Sequence, residues 1–305
     1  MTGFVLHLVA LLVLPPLFVG VLQKTKAWFA GRQGAPLLQP YFDLGRLLRK
    51  GSVYSHTTTW IFRSGPIIGL ASTLTAGLIV PLVDARAPLA FFGDVIAFAY
   101  LLGLGRFFTM AAALDTGSSF EGMGASREAA FSALIEPGLF CILAAMCLSG
   151  GVASLGPAFS SLHVPGGVPH PAVVITATAL VIVLLAENSR IPVDDPATHL
   201  ELTMIHEVMV LDHAGPDLAF ILYGSAVKLF VIGAMLVHLV IPVSAAGGGT
   251  GLAVLMAGES AVAVLVAVVE SAMARLRMRR VPQFVIGASV LGAIGLLILF
   301  FRGRA

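Results

Sequence analysis

Residues 186–196 read Ala-Glu-Asn-Ser-Arg-Ile-Pro-Val-Asp-Asp-Pro, and Glu201, His206 and Glu207 follow within eleven residues of the last of them. Carboxylates and imidazoles this dense, placed where a long apolar run ends, are the groups that take up and release protons. Glu187 and Arg190 are three apart, so they can meet on one helical turn. A neighbouring guanidinium lowers a carboxyl's proton affinity and burial raises it, and a group held between those effects exchanges protons near neutral pH. Further ionisable residues lie inside apolar runs: Asp94, Arg106, Glu136, Lys228, Glu259 and Glu270. Each charge near a bilayer centre costs roughly 2.5–3.5 kcal/mol on insertion scales. Glu136 is followed by Pro137, which frees a backbone carbonyl one turn back and favours a polar pocket. Glu259 and Glu270 are eleven residues apart, nearly the same face of a helix. The expected proton path therefore takes in Glu136, Glu187, Arg190, Glu201, His206, Glu207, Glu259 and Glu270. Structural ion pairs are the competing explanation, with Arg106 or Lys228 neutralising Asp94 or a Glu. A metal site is discounted: His199 and His206 are a heptad apart, and the His-Glu-x-x-His spacing of zinc enzymes is absent.

The elements that position these groups follow from composition. The chain has 305 residues, 58% hydrophobic and 11% charged, with mean hydropathy +0.97. Soluble domains carry roughly 25% charged residues. The expected class is an all-α integral membrane protein, one polytopic domain over residues 1–305. Helices are required because lipid leaves no partner for open backbone groups, and no alternating barrel pattern occurs. Eight spans are expected at 4–22, 67–83, 92–114, 129–148, 171–186, 218–243, 252–273 and 284–301. The fifth is short for the ~20 residues a crossing needs. The apolar run after residue 3 has no preceding Lys or Arg and is long enough to span, so it is expected to be a retained helix rather than a cleaved signal. Loops 23–66, 115–128, 187–217 and 274–283 hold thirteen Lys and Arg residues against three on the opposite side. That bias places those loops in the cytoplasm and both termini outside. No internal repeat is present, which weakens a stand-alone transporter reading.

Cys141 and Cys147 point about 120° apart on a helix and cannot bridge. Two thiols also fall short of the four that an iron–sulfur cluster typically takes, so any electrons flow through partners. The net charge of +2 gives no reason to expect a nucleic-acid partner.

Two cytoplasmic elements are expected besides the spans. Leu37, Tyr41, Leu44 and Leu48 fall on one helical stripe, with Asp43, Arg46, Arg49 and Lys50 off it. This predicts an amphipathic helix on the membrane surface or against a soluble partner. In the third inner loop, Asp195 can cap a helix and Pro196 suits its first turn. Leu200, Met204, Val208 and Leu211 then predict a short helix from about Pro196 to Leu211.

Four ordered segments carry a family resemblance: Gly31-Arg32-Gln33-Gly34-Ala35-Pro36-Leu37-Leu38-Gln39-Pro40; Leu114-Asp115-Thr116-Gly117-Ser118-Ser119-Phe120; Gly122-Met123-Gly124-Ala125-Ser126-Arg127-Glu128; and Glu187 through Glu207. With them the chain resembles subunit 1 of respiratory complex I, and more closely the membrane subunits of group 4 membrane-bound [NiFe] hydrogenases of the formate hydrogenlyase and hydrogenase 4 type. The resemblance implies acidic path residues at Glu136, Glu187, Asp194, Glu201 and Glu207, with Arg190 as basic partner. It implies hydrogenase-like large and small subunits, a ferredoxin-like Fe–S subunit and antiporter-like membrane subunits as partners. Ni–Fe and Fe–S centres would sit on those partners, and no cofactor or metal on this chain. Arg32, Gln33, Arg46, Arg49 and Lys50 form the expected docking face. Complex I usually has Arg-x-Pro-Phe-Asp where this chain has Arg190-Ile191-Pro192-Val193-Asp194, and the segment from Thr198 to Glu207 is histidine-rich. Those departures look like the hydrogenase branch and make a bound quinone doubtful. The implied activity is proton-coupled electron transfer at a bacterial or archaeal plasma membrane. A quinone-site subunit, a stand-alone transporter and a purely structural anchor are the alternatives.

Overall fold

A computed structural model describes residues 2–161, 171–194 and 204–302. Every regular element among them is a helix: α1 (Thr2–Val13), α2 (Pro15–Phe29), α3 (Gln39–Leu48), α4 (Trp60–Ile79), α5 (Asp94–Asp115), α6 (Ser119–Gly150), α7 (Leu155–Ser161), α8 (Pro171–Glu187), α9 (His206–Met209), α10 (Gly215–Val240), α11 (Val243–Ala246), α12 (Gly248–Ala272) and α13 (Val281–Arg302). Helices α5, α6, α10, α12 and α13 are each long and apolar enough to cross a membrane. The pair α1 and α2, bent by 46°, makes a sixth as one broken span. The 20-residue α4 and the 17-residue apolar α8 fall where the other two expected spans lie.

Helix α10 is the centre of the bundle. Every residue from Leu229 to Leu239 is buried, the pattern of a helix that is apolar all round and surrounded by others. It packs against α2, α4, α8 and α12. The break between α1 and α2 follows from Pro15 and Pro16, which cannot donate to carbonyls one turn back. The Tyr223 hydroxyl donates to Leu12 O at 2.7 Å, and the Tyr41 hydroxyl donates to Val13 O. Two phenols, from α10 and α3, thus satisfy carbonyls that the broken helix leaves open.

The amphipathic helix expected around Leu37–Leu48 is α3. It packs against α10 and α2, and Arg46, Arg49 and Lys50 remain exposed, as do Phe42 and Leu48. The expected helix from Pro196 to Leu211 takes a different form. Residues 195–203 lie outside the described residues, and α9 covers only His206–Met209, with Met204 and Ile205 outside it. Asp194 explains where α9 starts. One of its carboxylate oxygens accepts the Ile205 and His206 backbone N–H groups, both at 3.1 Å, fixing a new helix start beyond the predicted one. Leu211, on the expected apolar stripe, is exposed.

Two of the motif segments act as joints. The Asp115 carboxylate accepts Thr59 N at 2.6 Å and Phe62 N at 3.2 Å, so the end of α5 caps the start of α4. Gly124 allows α6 to lie against α9: a Cβ there would stand 2.4 Å from Val208 Cγ1 and 3.0 Å from Ile205 O. Overpacking costs about 1–3 kcal/mol, so Gly124→Val should lower the thermal midpoint of the purified protein by that equivalent. An unchanged midpoint would show that α9 moves aside freely.

Candidate functional site

The site begins where α8 ends. Arg190 N donates to Leu185 O at 2.8 Å and Ser189 N to Ala186 O at 3.2 Å, the paired bonds of a Schellman C-terminus. The residue that adopts the left-handed conformation is Ser189, at φ 50°, a position where glycine is usual. Helix α2 ends through the same two bonds, with Gly31 in the equivalent place at φ 66°. The turn at Ser189 has a consequence for Arg190. It does not meet Glu187 on a shared helical turn, as the three-residue spacing suggested. The chain has left the helix, and the Arg190 guanidinium reaches Glu270 at 3.6 Å.

Glu187 instead faces the bundle. Its Oε1 accepts Arg106 Nη1 at 2.6 Å, and Lys228 Nζ stands 3.8 Å from Oε2. The other arm of Arg106, Nη2, bonds Glu136 Oε1 at 2.9 Å. One guanidinium from α5 therefore bridges a fully buried acid on α8 and a half-exposed one on α6. Lys26 of α2 pairs with Glu270 of α12 at 2.7 Å. Asp194 is buried and bonds Arg275 at 2.9 Å. The turn is further tied to the segment after α12 by Leu276 N–H donating to Pro192 O at 2.9 Å.

Cavities lie on both sides of the turn. One, of about 70 Å³, is lined by Arg106, Glu128, Glu187, His206 and Lys228. The second, of about 450 Å³, opens between α2, α3 and α10 and is lined by Lys26, Asp43, Arg190, Asp194, His206 and Glu207. Asn188, Ser189, His206 and Ser225 line both. These residues form the wall between an ion-paired interior and a roomier chamber.

Of the expected path residues, Glu136, Glu187, Arg190, Asp194, His206, Glu207 and Glu270 come together around this wall. Glu201 lies outside the described residues. Glu259 is buried, as its shared face with Glu270 implied, but it lies a further eleven residues along α12, about 16 Å at helical rise, and joins none of these ion pairs. Asp94 is also remote: it accepts Ser154 Oγ at 2.8 Å and Leu155 N at 3.0 Å, which makes it the anchor of α7. Arg106 and Lys228 were read only as buried charge, and Glu128 only as part of a motif. Their place in the site depends on which helix faces are neighbours, which no local spacing records. The expected docking residues Arg32, Gln33, Arg46, Arg49 and Lys50 are all exposed. Lys24 Nζ holds Gln33 O at 2.6 Å, and Arg46 lies 3.8 Å from Asp43. No group of three or more His, Cys, Asp or Glu among the described residues could hold a metal ion.

His206 departs from the ordinary imidazole range. Burial, reinforced by the Lys228 ammonium, lowers it to about 4. It is therefore a neutral ring at physiological pH, able to donate from one nitrogen and accept at the other. Burial lowers His213 as well.

Two outcomes are expected. Removing one partner of a buried ion pair costs about 3–5 kcal/mol, because the other charge is left stranded. Arg106→Gln should destabilise the protein by about that much in thermal denaturation, and Arg106→Met with Glu187→Met should recover most of the loss. Equal loss in the double variant would mean that the pair is not coupled. The second concerns pH. A histidine whose folded value lies below its unfolded value of about 6.5 gives stability that is complete above 6.5 and is lost as pH falls toward 4, because the unfolded chain binds the proton first. His206→Gln should flatten that acid-side decline in midpoint. A slope unchanged by the substitution would assign the decline to other groups.

Comparison with known proteins agrees with this architecture. The family model described as NADH dehydrogenase matches residues 2–301. Formate hydrogenlyase subunit 4 of Escherichia coli K12 is 30% identical over 280 residues, covering 90% of each chain. Hydrogenase-4 component C of the same organism is 31% identical over 275 residues, covering 88% of this chain and 86% of its own. A chain from the structure of the membrane-bound sulfane sulfur reductase, an archaeal respiratory membrane complex, superposes with TM-score 0.81 at 22% identity, covering 98% of this chain and all of that one. The last likeness concerns the fold. The match over nearly the whole chain, with two curated relatives at 30% identity or more, places this membrane protein in the NADH dehydrogenase family, the one typified by subunit 1 of complex I.

Proposed function

We propose that this chain is the membrane-anchoring, proton-coupling subunit of a multisubunit oxidoreductase of the formate hydrogenlyase or membrane-bound [NiFe] hydrogenase type. The observation that carries the reading is the Arg106 bridge between Glu187 and Glu136, with Lys228 and His206 beside the same small cavity. One curated relative is named as a subunit of formate hydrogenlyase and the other as a component of hydrogenase-4. In this reading both termini lie outside a bacterial or archaeal plasma membrane. The exposed residues Arg32, Gln33, Arg46, Arg49 and Lys50 face the cytoplasm and receive hydrogenase-like and ferredoxin-like partner subunits that hold the Ni–Fe and Fe–S centres. Antiporter-like subunits adjoin within the bilayer.

The mechanism is electrostatic. In a medium of low effective dielectric, carboxyls respond strongly to charge several ångströms away. Glu187 gains proton affinity when negative charge arrives at a docked partner, and loses it to Arg106 and Lys228 when that charge leaves. The neutral ring of His206 lines both cavities, so it can pass a proton between the outer chamber and the Glu187 side without becoming a trapped cation. Arg190 and Lys26 both pair with Glu270, and Asp194 fixes the start of α9 that carries His206.

A quinone-site reading has one specific observation in its favour. The cavity of about 450 Å³ has apolar walls at Val19, Leu22, Leu44 and Leu222 and polar groups at Arg190, Asp194 and His206. That lining fits an amphipathic ring held at one polar end. When bound, such a group would supply two-electron redox chemistry. Saturable binding of a quinone analogue to the purified complex, abolished by Leu44→Trp, would favour this reading.

Glu187→Gln keeps the shape and removes the titratable proton. The substituted position can no longer take up a proton, so proton translocation per turnover should be abolished while the complex still assembles. Proteoliposomes with a pH-sensitive dye provide the measurement. Undiminished translocation in an assembled Glu187→Gln complex would remove Glu187 from the path.

A further inference from the structure

Glu259 is the one expected path residue within the described part that the ionised cluster does not use. It lies near the middle of α12, eleven residues from the first residue and thirteen from the last, and so at mid-depth of a helix long enough to span. The residue is 2% exposed. Its side chain enters a notch in α10 that only glycine leaves open: a Cβ on Gly233 would stand 2.8 Å from Glu259 Oε2 and 3.0 Å from Oε1. One turn further along α10, Val237 closes over Gly258 in the same way, with a would-be Cβ contact of 2.5 Å. Among the described residues no salt bridge reaches Glu259, and its buried Oε1 has no hydrogen-bond partner. The contrast with the other membrane acids is sharp. Glu136, Glu187 and Glu270 each face a cation within 3 Å, and Asp94 is satisfied by a hydroxyl and a backbone N–H.

The other ionisable groups on the elements packed against α12 are few at this depth. His7 of α1 is buried, with Nε2 3.1 Å from Gly77 O. His238 of α10 is buried, its ring edge-on to Phe159 with centroids 5.3 Å apart. Lys26 of α2 is engaged with Glu270 at the other end of α12. A carboxylate ion in such a place would carry the large penalty of an uncompensated buried charge, whereas the neutral acid carries only that of a polar group.

We infer that Glu259 is a separate proton-binding site, occupied as the un-ionised carboxylic acid at mid-membrane and serving as the station beyond the ion-paired relay. The inference rests on the coupling role proposed above and extends it: the relay around Arg106 handles protons at one end of the bundle, and Glu259 holds the proton that has moved inward from it. Binding there needs no redox partner and no covalent step. The site takes a proton on one carboxyl oxygen and releases it to the next acceptor.

Infrared difference spectroscopy of the intact complex at neutral pH tests this directly. The wild-type complex should show the carbonyl stretch of a protonated carboxylic acid, shifted in heavy water and absent from Glu259→Gln. That variant should assemble normally, because glutamine matches the neutral acid in shape and charge. In proteoliposomes it should lose nearly all of the protons translocated per turnover while redox turnover continues. No acid band assignable to Glu259 would overturn the inference. So would failure of Glu259→Gln to assemble, since that would require an ionised, paired group. Unimpaired translocation would overturn the carrier role. If Glu187→Gln abolishes translocation while Glu259→Gln leaves it intact, only this inference fails. If Glu187→Gln is also without effect, the proposed coupling function fails with it.

Discussion

A single guanidinium sets the terms for everything around it. Arg106 rises from α5 and is forced to satisfy two acids from two other helices, Glu187 at 2.6 Å and Glu136 at 2.9 Å. Such a charge in the interior is tolerable only when its donors are used, and Arg offers a planar fork suited to two carboxylates at once. The constraint fixes how α5, α6 and α8 approach one another at this level. It also keeps two acids within reach of one cation, so that protonating either one changes the electrostatic environment of the other. A polar site in an apolar bundle is therefore a structural joint, and in the proposed function the same atoms respond to protons.

The second constraint is the turn after α8. Ser189 takes the left-handed conformation that glycine takes at the end of α2, and the chain reverses away from the helix axis. Arg190 is thrown toward α12 and Asp194 toward Arg275 and the start of α9. Because Glu187 precedes the turn and Arg190 follows it, the two ends of the same motif serve different helices. The segments after α8 and α12 are bound to each other through Arg275 and the Leu276–Pro192 backbone bond.

Much of this was legible in the sequence, and the rest was hidden for identifiable reasons. Apolar runs gave the helices of the bundle, the stripe from Leu37 to Leu48 gave α3, and buried acids drew attention to Glu136, Glu187, Glu259 and Glu270. The pairing was not legible. Arg106 was visible as a charge in a span, but its partners lie 30 and 81 residues away, and only the packing of α5 against its neighbours joins them. The Glu187–Arg190 contact failed because serine gave no sign of a left-handed turn that glycine would have announced. Of the helix expected after Pro196, residues up to 203 lie outside the described part, and beyond them Asp194, a side chain outside the expected element, fixes where α9 starts. In each case a local rule was overridden by a group distant in sequence or by one backbone dihedral.

The central claim is that carboxyls in this chain change their protonation when charge arrives at a redox partner. Reducing the intact complex in a single turnover, in weakly buffered solution with a pH indicator, measures that linkage without any substitution. The account predicts net proton uptake in step with reduction, varying with pH and released on reoxidation. Reduction that proceeds with no proton uptake at any pH between 5 and 8 would contradict it.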